Sequence, residues 1–100
     1  MDMQKLMRQA QKMQNEMNKA QEKLKEMEVE GAAGGGVVKV TATGGQKVTA
    51  ITIDPEVVDP NDVEMLQDLI LAAINDAMNK ANELANSEMG KITGGMKMPF

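Results

Sequence analysis

From Met3 to Met27 the apolar positions recur at alternating spacings of three and four: Met3, Leu6, Ala10, Met13, Met17, Ala20, Leu24 and Met27. That is the heptad of a long helix with a single apolar seam. At about 1.5 Å per residue the helix runs roughly 35 to 40 Å, more than a small domain needs to cover its own core. Part of the seam is therefore expected to face something other than the body.

After Glu26 the period changes to two. Met27, Val29, Gly31 and Ala33 alternate with Glu28 and Glu30, which predicts a short first strand. Gly34, Gly35 and Gly36 are expected to form a mobile connector, and Val37 to Thr43 (VVKVTAT) a second strand with Val38, Val40 and Ala42 on one face. Gly44 and Gly45 predict a tight hairpin turn. In the third strand, Gln46 to Ile53, Val48 and Ala50 share one face and Ile51 and Ile53 the other. That phase slip predicts a bulge or burial on both faces.

Helical periodicity returns at Asp59, with Pro60 at the first position and Asp62 and Glu64 complementing the helix dipole. Val63, Leu66, Ile70, Ala73, Ile74, Ala77, Ala81 and Leu84 give one apolar face through about Ser87, the candidate cover for the sheet. The small residues Ala73, Ala77 and Ala81 allow a close approach to the sheet or to a second copy. Gly90, Gly94 and Gly95 break the pattern, and the tail KITGGMKMPF is expected to be disordered, with Phe100 either idle or a weak docking anchor. The predicted fold is α+β in the order α-β-β-β-α: a long N-terminal helix, a three-stranded antiparallel sheet and a C-terminal helix. One domain spans 1–89, with a projecting helix over 1–26, the sheet over 27–53 and the second helix over 59–88; residues 90–100 form the tail.

Charge sharpens this picture because it is unevenly distributed. Residues 1–25 hold six Lys/Arg against three acids, whereas residues 26–100 hold five against twelve, within a net charge of −4. With Met3 at heptad position a, Lys5, Lys12 and Lys19 fall at c and Arg8 and Asn15 at f, so a basic stripe runs behind the seam. Such a stripe also serves as an ordinary solvated face. What sets this one apart is the near absence of interleaved acids in its first four turns; only later do Glu16 with Lys19 and Glu22 with Lys25 mix the signs. Gln4, Gln9, Gln11, Gln14, Asn15, Asn18 and Gln21 fill much of the remaining surface, and amides bond phosphates and base edges. Met supplies 11 residues, for which seam packing is the favoured reading over an adaptable binding groove.

The chemistry available for catalysis is thin. The chain has no His, Cys, Tyr or Trp, one Ser (Ser87) and one aromatic (Phe100), and its carboxylates form no recognisable acid/base site, so no enzymatic activity is expected. Asp54, Glu56, Asp59 and Asp62 lack the central Gly and closing Glu of a Ca²⁺ loop and are interrupted by Pro55 and Pro60; helix capping accounts for them better than a metal. The GAAGGG run is followed by a strand rather than a helix N-terminus, which argues against a phosphate loop. No cofactor, small-molecule substrate or membrane partner is expected, and without disulfides, a membrane span or a signal core the chain reads as cytoplasmic and bacterial in style.

Several segments in order carry a resemblance: the Met/Gln/Lys-rich MQKLMRQAQKMQNEM, the Gly-rich approach to VVKVTATGG, the ITIDPEVV junction, the EMLQDLILAAINDAMNKA helix and the terminal GGMKMPF. Together, over essentially the whole chain, they resemble the YbaB/EbfC family of nucleoid-associated DNA-binding proteins. The resemblance implies a tweezers-like homodimer whose cores associate through sheet and second helix while the N-terminal helices project as arms. It also implies binding of double-stranded DNA with a change in its conformation, a nucleoid location, and a role in nucleoid organisation and gene regulation. Carried onto this sequence, the DNA-facing candidates are Lys5, Arg8, Lys12 and Lys19 with Gln4, Gln11 and Asn15. Ala10 and Ala20 leave thin layers for a two-stranded coiled coil, which argues for arms held apart. The competing expectation is a protein-interaction module that docks a partner helix on the seam.

Overall fold

In a computed structural model describing residues 2–93, helix α1 (Met3–Glu26) leads into three strands, β1 (Glu28–Ala33), β2 (Val38–Thr43) and β3 (Val48–Ile53). A single 3-10 turn over Pro55–Val57 precedes helix α2 (Val63–Thr93). The strands form one antiparallel sheet in the order β1-β2-β3. The expected α+β architecture is therefore present, and the molecule is elongated, measuring 70 × 27 × 16 Å with a radius of gyration of 19.5 Å. A compact chain of this size has a radius near 13 Å.

The alternation in β2 decides where the core lies. Val38, Val40 and Ala42 are fully buried on one face, and Val29, Gly31 and Ala33 of β1 stand opposite Ala42, Val40 and Val38 on that same face. Ala73 and Ala77 of α2, also fully buried, close over them, with Leu66, Ile70, Ile74 and Met78 packed around. The helix comes in so close because Gly31 has no side chain: a Cβ there would press on the backbone of Ala77 and sit 2.5 Å from the Ala73 carbonyl oxygen. Each fully buried valine contributes on the order of 2 kcal/mol relative to exposure. Along the outer edge of β1, Asp76 accepts from the Ala32 amide at 3.0 Å and Lys80 donates to the Glu30 carbonyl at 2.9 Å. These side chains of α2 occupy the edge groups that a further strand would need.

Several local expectations are corrected by the structure. The first glycine run is a defined turn in which Gly34, Gly35 and Gly36 all have positive φ (63°, 74°, 99°) and the Gly36 amide donates to Ala33, rather than a loose connector. The hairpin after β2 is closed by the Thr43 amide donating to the Lys47 carbonyl, which leaves a three-residue loop, Gly44 to Gln46, whose left-handed residue is Gln46 (φ 68°), with β3 starting at Val48 rather than Gln46. Gly44 is needed for space instead, since a Cβ there would meet Leu24 Cδ2 at 2.6 Å. The phase slip in β3 is a bulge: Ala50 pairs with Thr41 and Val48 with Ala42, leaving Thr49 as the extra residue. The bulge brings Val48 onto the face that carries Ile51 and Ile53, so Val48 and Ala50 do not share a face. The second helix begins at Val63, not at Pro60, because the Asp62 carboxylate caps the Met65 amide at 3.1 Å while Asp59 caps Asn61. It also runs through Gly90 to Thr93, a glycine that helical propensity alone made the end point. Of the tail expected to be disordered, 90–100, residues 90–93 are helical and 94–100 lie outside the described residues.

Candidate nucleic-acid interface

Helix α1 is built in two parts. Its last turns are docked: Ala20 and Leu24 are buried, Leu24 lies against Gly44 of the hairpin, and Lys23 reaches Glu88 of α2 at 3.5 Å. Glu88 is an unusual residue for this position, with a side chain only 9% exposed, and Lys91 bonds its other oxygen at 2.9 Å. That hydrogen bond, opposed by burial and helped by the charge of Lys23, holds the Glu88 carboxyl below its ordinary pKa. α1 and α2 run antiparallel, since Lys23 meets Glu88 and Met13 and Glu16 share a groove with Ile92. N-terminal to this docked region the helix leaves the body. Met3, Leu6 and Met7 are 70%, 45% and 67% exposed.

All seven predicted site residues lie on α1 and all are exposed: Gln4, Lys5, Arg8, Gln11, Lys12, Asn15 and Lys19. Heptad positions c and f are adjacent on the helix surface, so the four cations form one stripe, roughly 21 Å from Lys5 to Lys19 at helical rise. That length matches about six base pairs of a duplex. Among the described residues none of these four cations is in an ion pair; the pairs that form are Lys23–Glu88, Lys25–Glu22, Lys80–Asp76 and Lys91–Glu88. The expected pairing of Glu16 with Lys19 is not made, whereas Glu22 with Lys25 is, at 3.1 Å. The first turn of α1 holds no acid beyond the cap, where Asp2 accepts from the Gln4 amide at 3.0 Å and its carboxylate offsets the positive end of the helix dipole. Lys12 has a second neighbourhood: it also lines the groove shared by α1 and Ile92.

The arrangement offers unpaired cations and amides on a rigid rod, with no cluster of His, Cys, Asp or Glu suited to a metal among the described residues. No described helix is long and apolar enough to cross a membrane. Sequence reasoning found the stripe but missed the Lys23–Glu88–Lys91 tie that aims it; the one local signal was the i,i+3 spacing of Glu88 and Lys91.

Residues 1–96 match the YbaB/EbfC DNA-binding family. The chain belongs to that family. Among its YbaB/EbfC relatives, a nucleoid-associated protein of Ruminiclostridium cellulolyticum is 60% identical over 95 residues, covering 95% of this chain and 83% of its own length. A nucleoid-associated protein of Chloroflexus aggregans is 56% identical over the full length of both chains. The crystal structure of an uncharacterised Helicobacter pylori protein superposes with a TM-score of 0.82 at 26% identity, covering 94% of this chain and 99% of that one. That protein shares the fold of this chain.

Proposed function

We propose that this chain is a nucleoid-associated protein that binds double-stranded DNA as a homodimer, using the basic stripe of α1 as a clamp arm. The carrying observation is that, among the described residues, Lys5, Arg8, Lys12 and Lys19 have no ion-pair partner, on the helix that projects from an otherwise acidic body. Membership of the DNA-binding family and the names of its relatives support the reading. Phosphate neutralisation supplies affinity and releases counterions; Lys contacts to phosphates position the protein without specifying bases, so sequence readout is weak. The body, with its excess of acids, is repelled by the duplex and leaves the arm as the contacting element.

Dimerisation is supported by what α2 leaves uncovered. It packs on β1 and β2, and at the margin Val48 and Ile51 of β3 are 41% and 46% exposed, beside an open strand edge. A second copy on this side covers apolar surface that a monomer leaves in water and gives two arms. Two arms on separate backbone segments bend or bridge DNA, the physical basis for a part in nucleoid organisation and gene regulation, and they locate the protein at the nucleoid in the cytoplasm.

The test is fluorescence anisotropy of a labelled duplex across a salt series, with wild type and the Lys5→Gln, Arg8→Gln, Lys12→Gln triple variant. Loss of three cations per arm flattens the log–log salt slope by up to about 5 for a dimer. Unchanged affinity and slope in a folded triple variant refute the clamp. Exposure of Met3, Leu6 and Met7 favours the second reading, a seam that docks a partner helix. That reading requires Met13→Asp to abolish partner capture while the triple variant behaves normally.

A further inference from the structure

By helical position Lys23 belongs to the basic stripe: it stands one turn beyond Lys19, and its heptad position g borders position c on the helix surface. With it the stripe would run roughly 27 Å from Lys5 at helical rise. Counting from the N-terminus, however, Lys23 is the first cation of α1 with an acid partner among the described residues, its Nζ lying 3.5 Å from Glu88 Oε2. Its side chain is 61% exposed, so an opposing charge rather than burial sets it apart from the others. We propose that Glu88 is a positioning residue that withholds Lys23 from nucleic acid and so ends the phosphate contacts of the arm at Lys19. The inference rests on the clamp reading of α1.

Three observations carry it. The Glu88 side chain is only 9% exposed, and a carboxylate so placed is poorly stabilised by water and holds its cations, Lys23 and Lys91, against competitors. A phosphate at the protein surface is solvated and screened by salt, and is the weaker partner. The second observation is a change of sign along the stripe. Position c reads Lys5, Lys12, Lys19 and then Glu26, and position f reads Arg8, Asn15 and then Glu22, so the surface that is basic through Lys19 is acidic beyond it. The remaining cation of this stretch, Lys25, pairs with Glu22 at 3.1 Å. The third is location: Lys23 lies between the buried Ala20 and Leu24, where the arm becomes body, and the body carries the excess of acids. A contact path that stops at Lys19 keeps a duplex clear of that body. Counterion release follows the number of cations that neutralise phosphate, and a lysine already balanced by a fixed carboxylate adds nothing to it.

The experiment is the salt dependence of duplex binding by the full-length protein, comparing Lys19→Gln with Lys23→Gln and Glu88→Gln with the Glu88→Gln, Lys23→Gln double variant. Lys19→Gln should flatten the log–log slope by about 0.9 per arm, whereas Lys23→Gln should leave it unchanged. Glu88→Gln should steepen it by about 0.9 per arm, and adding Lys23→Gln should remove that gain. A loosened anchor alone weakens binding at every salt concentration and steepens nothing, so the sign of the slope change separates the two roles. Lys23→Gln flattening the wild-type slope as Lys19→Gln does overturns the proposal. So does an unchanged slope in a folded Glu88→Gln variant, or a gain that survives Lys23→Gln and so belongs to Lys91. If Glu88→Gln fails to fold, the comparison of Lys19→Gln with Lys23→Gln decides alone. Absence of wild-type binding at low salt is a separate result: it removes the clamp, and this limit with it.

Discussion

The two ends of α1 obey one heptad and live in different environments. At its C-terminal end Leu24 is 3% exposed and Lys23 is tied to Glu88; at its N-terminal end Leu6 is 45% exposed and Lys5, Arg8 and Lys12 have no acid partner among the described residues. The apolar spacing is the same throughout, so it is the reach of the body that divides the helix into anchor and arm. An anchor needs dense packing and satisfied charge, whereas the arm proposed to meet a polyanion needs cations left free of acids. The same seam runs through both.

The sharpest way to break this comparison is to shorten the same residue type at both ends. Leu24→Ala should cost about 3 kcal/mol of stability in urea melts, from lost burial and the cavity left beside Gly44, whereas Leu6→Ala should stay within about 1 kcal/mol. Equal costs would mean that the body extends along the whole helix. A smaller effect follows from Gly44→Ala, where the new Cβ meets Leu24 Cδ2 at 2.6 Å. The leucine has to yield, at about 1 to 2 kcal/mol, again read by urea melts and with DNA affinity retained.

Glu88 tests the tie itself. Its pKa is lowered in the fold, chiefly by the Lys91 hydrogen bond, so its contribution is present above the ordinary glutamate pKa and is lost as pH falls through the lowered one. Amide exchange in residues 20–26 should therefore quicken in acid in the wild type, and Glu88→Gln should show the quickened exchange already at neutral pH. A pH-independent exchange pattern there would remove Glu88 from the account. The smallest effect belongs to the tip. Asp2→Ala deletes the cap on Gln4, fraying the first turn by about 1 kcal/mol locally while leaving the global melt unchanged, as amide exchange of residues 4–6 would report.

The basic stripe was more legible than the way its helix is held. Lys5, Arg8, Lys12 and Lys19 are visible as a stripe because helical geometry alone puts heptad positions c and f side by side. The α-β-β-β-α order is equally visible, because the period switches from about 3.5 to two and back at Glu26 and Asp59. Boundaries were less so: capping by Asp62 rather than Asp59, and continuation through Gly90, depend on competition between nearby carboxylates and on packing that local propensity does not include. The phase of β3 predicted a bulge or burial on both faces; the bulge forms, at Thr49, but the margin it creates was not foreseen, where Val48 and Ile51 share the core-side face and remain exposed.

By itself the sequence determined periodicity, charge placement and hence the element types and the stripe, because these follow from covalent order and fixed helical and strand repeats. Only the tertiary structure decided how far along α1 the body reaches, that Gly31 and Gly44 are sites of close approach, and that Glu88 joins the two helices. Those outcomes depend on which atoms distant segments bring within a few ångströms of one another, and no local repeat encodes that distance.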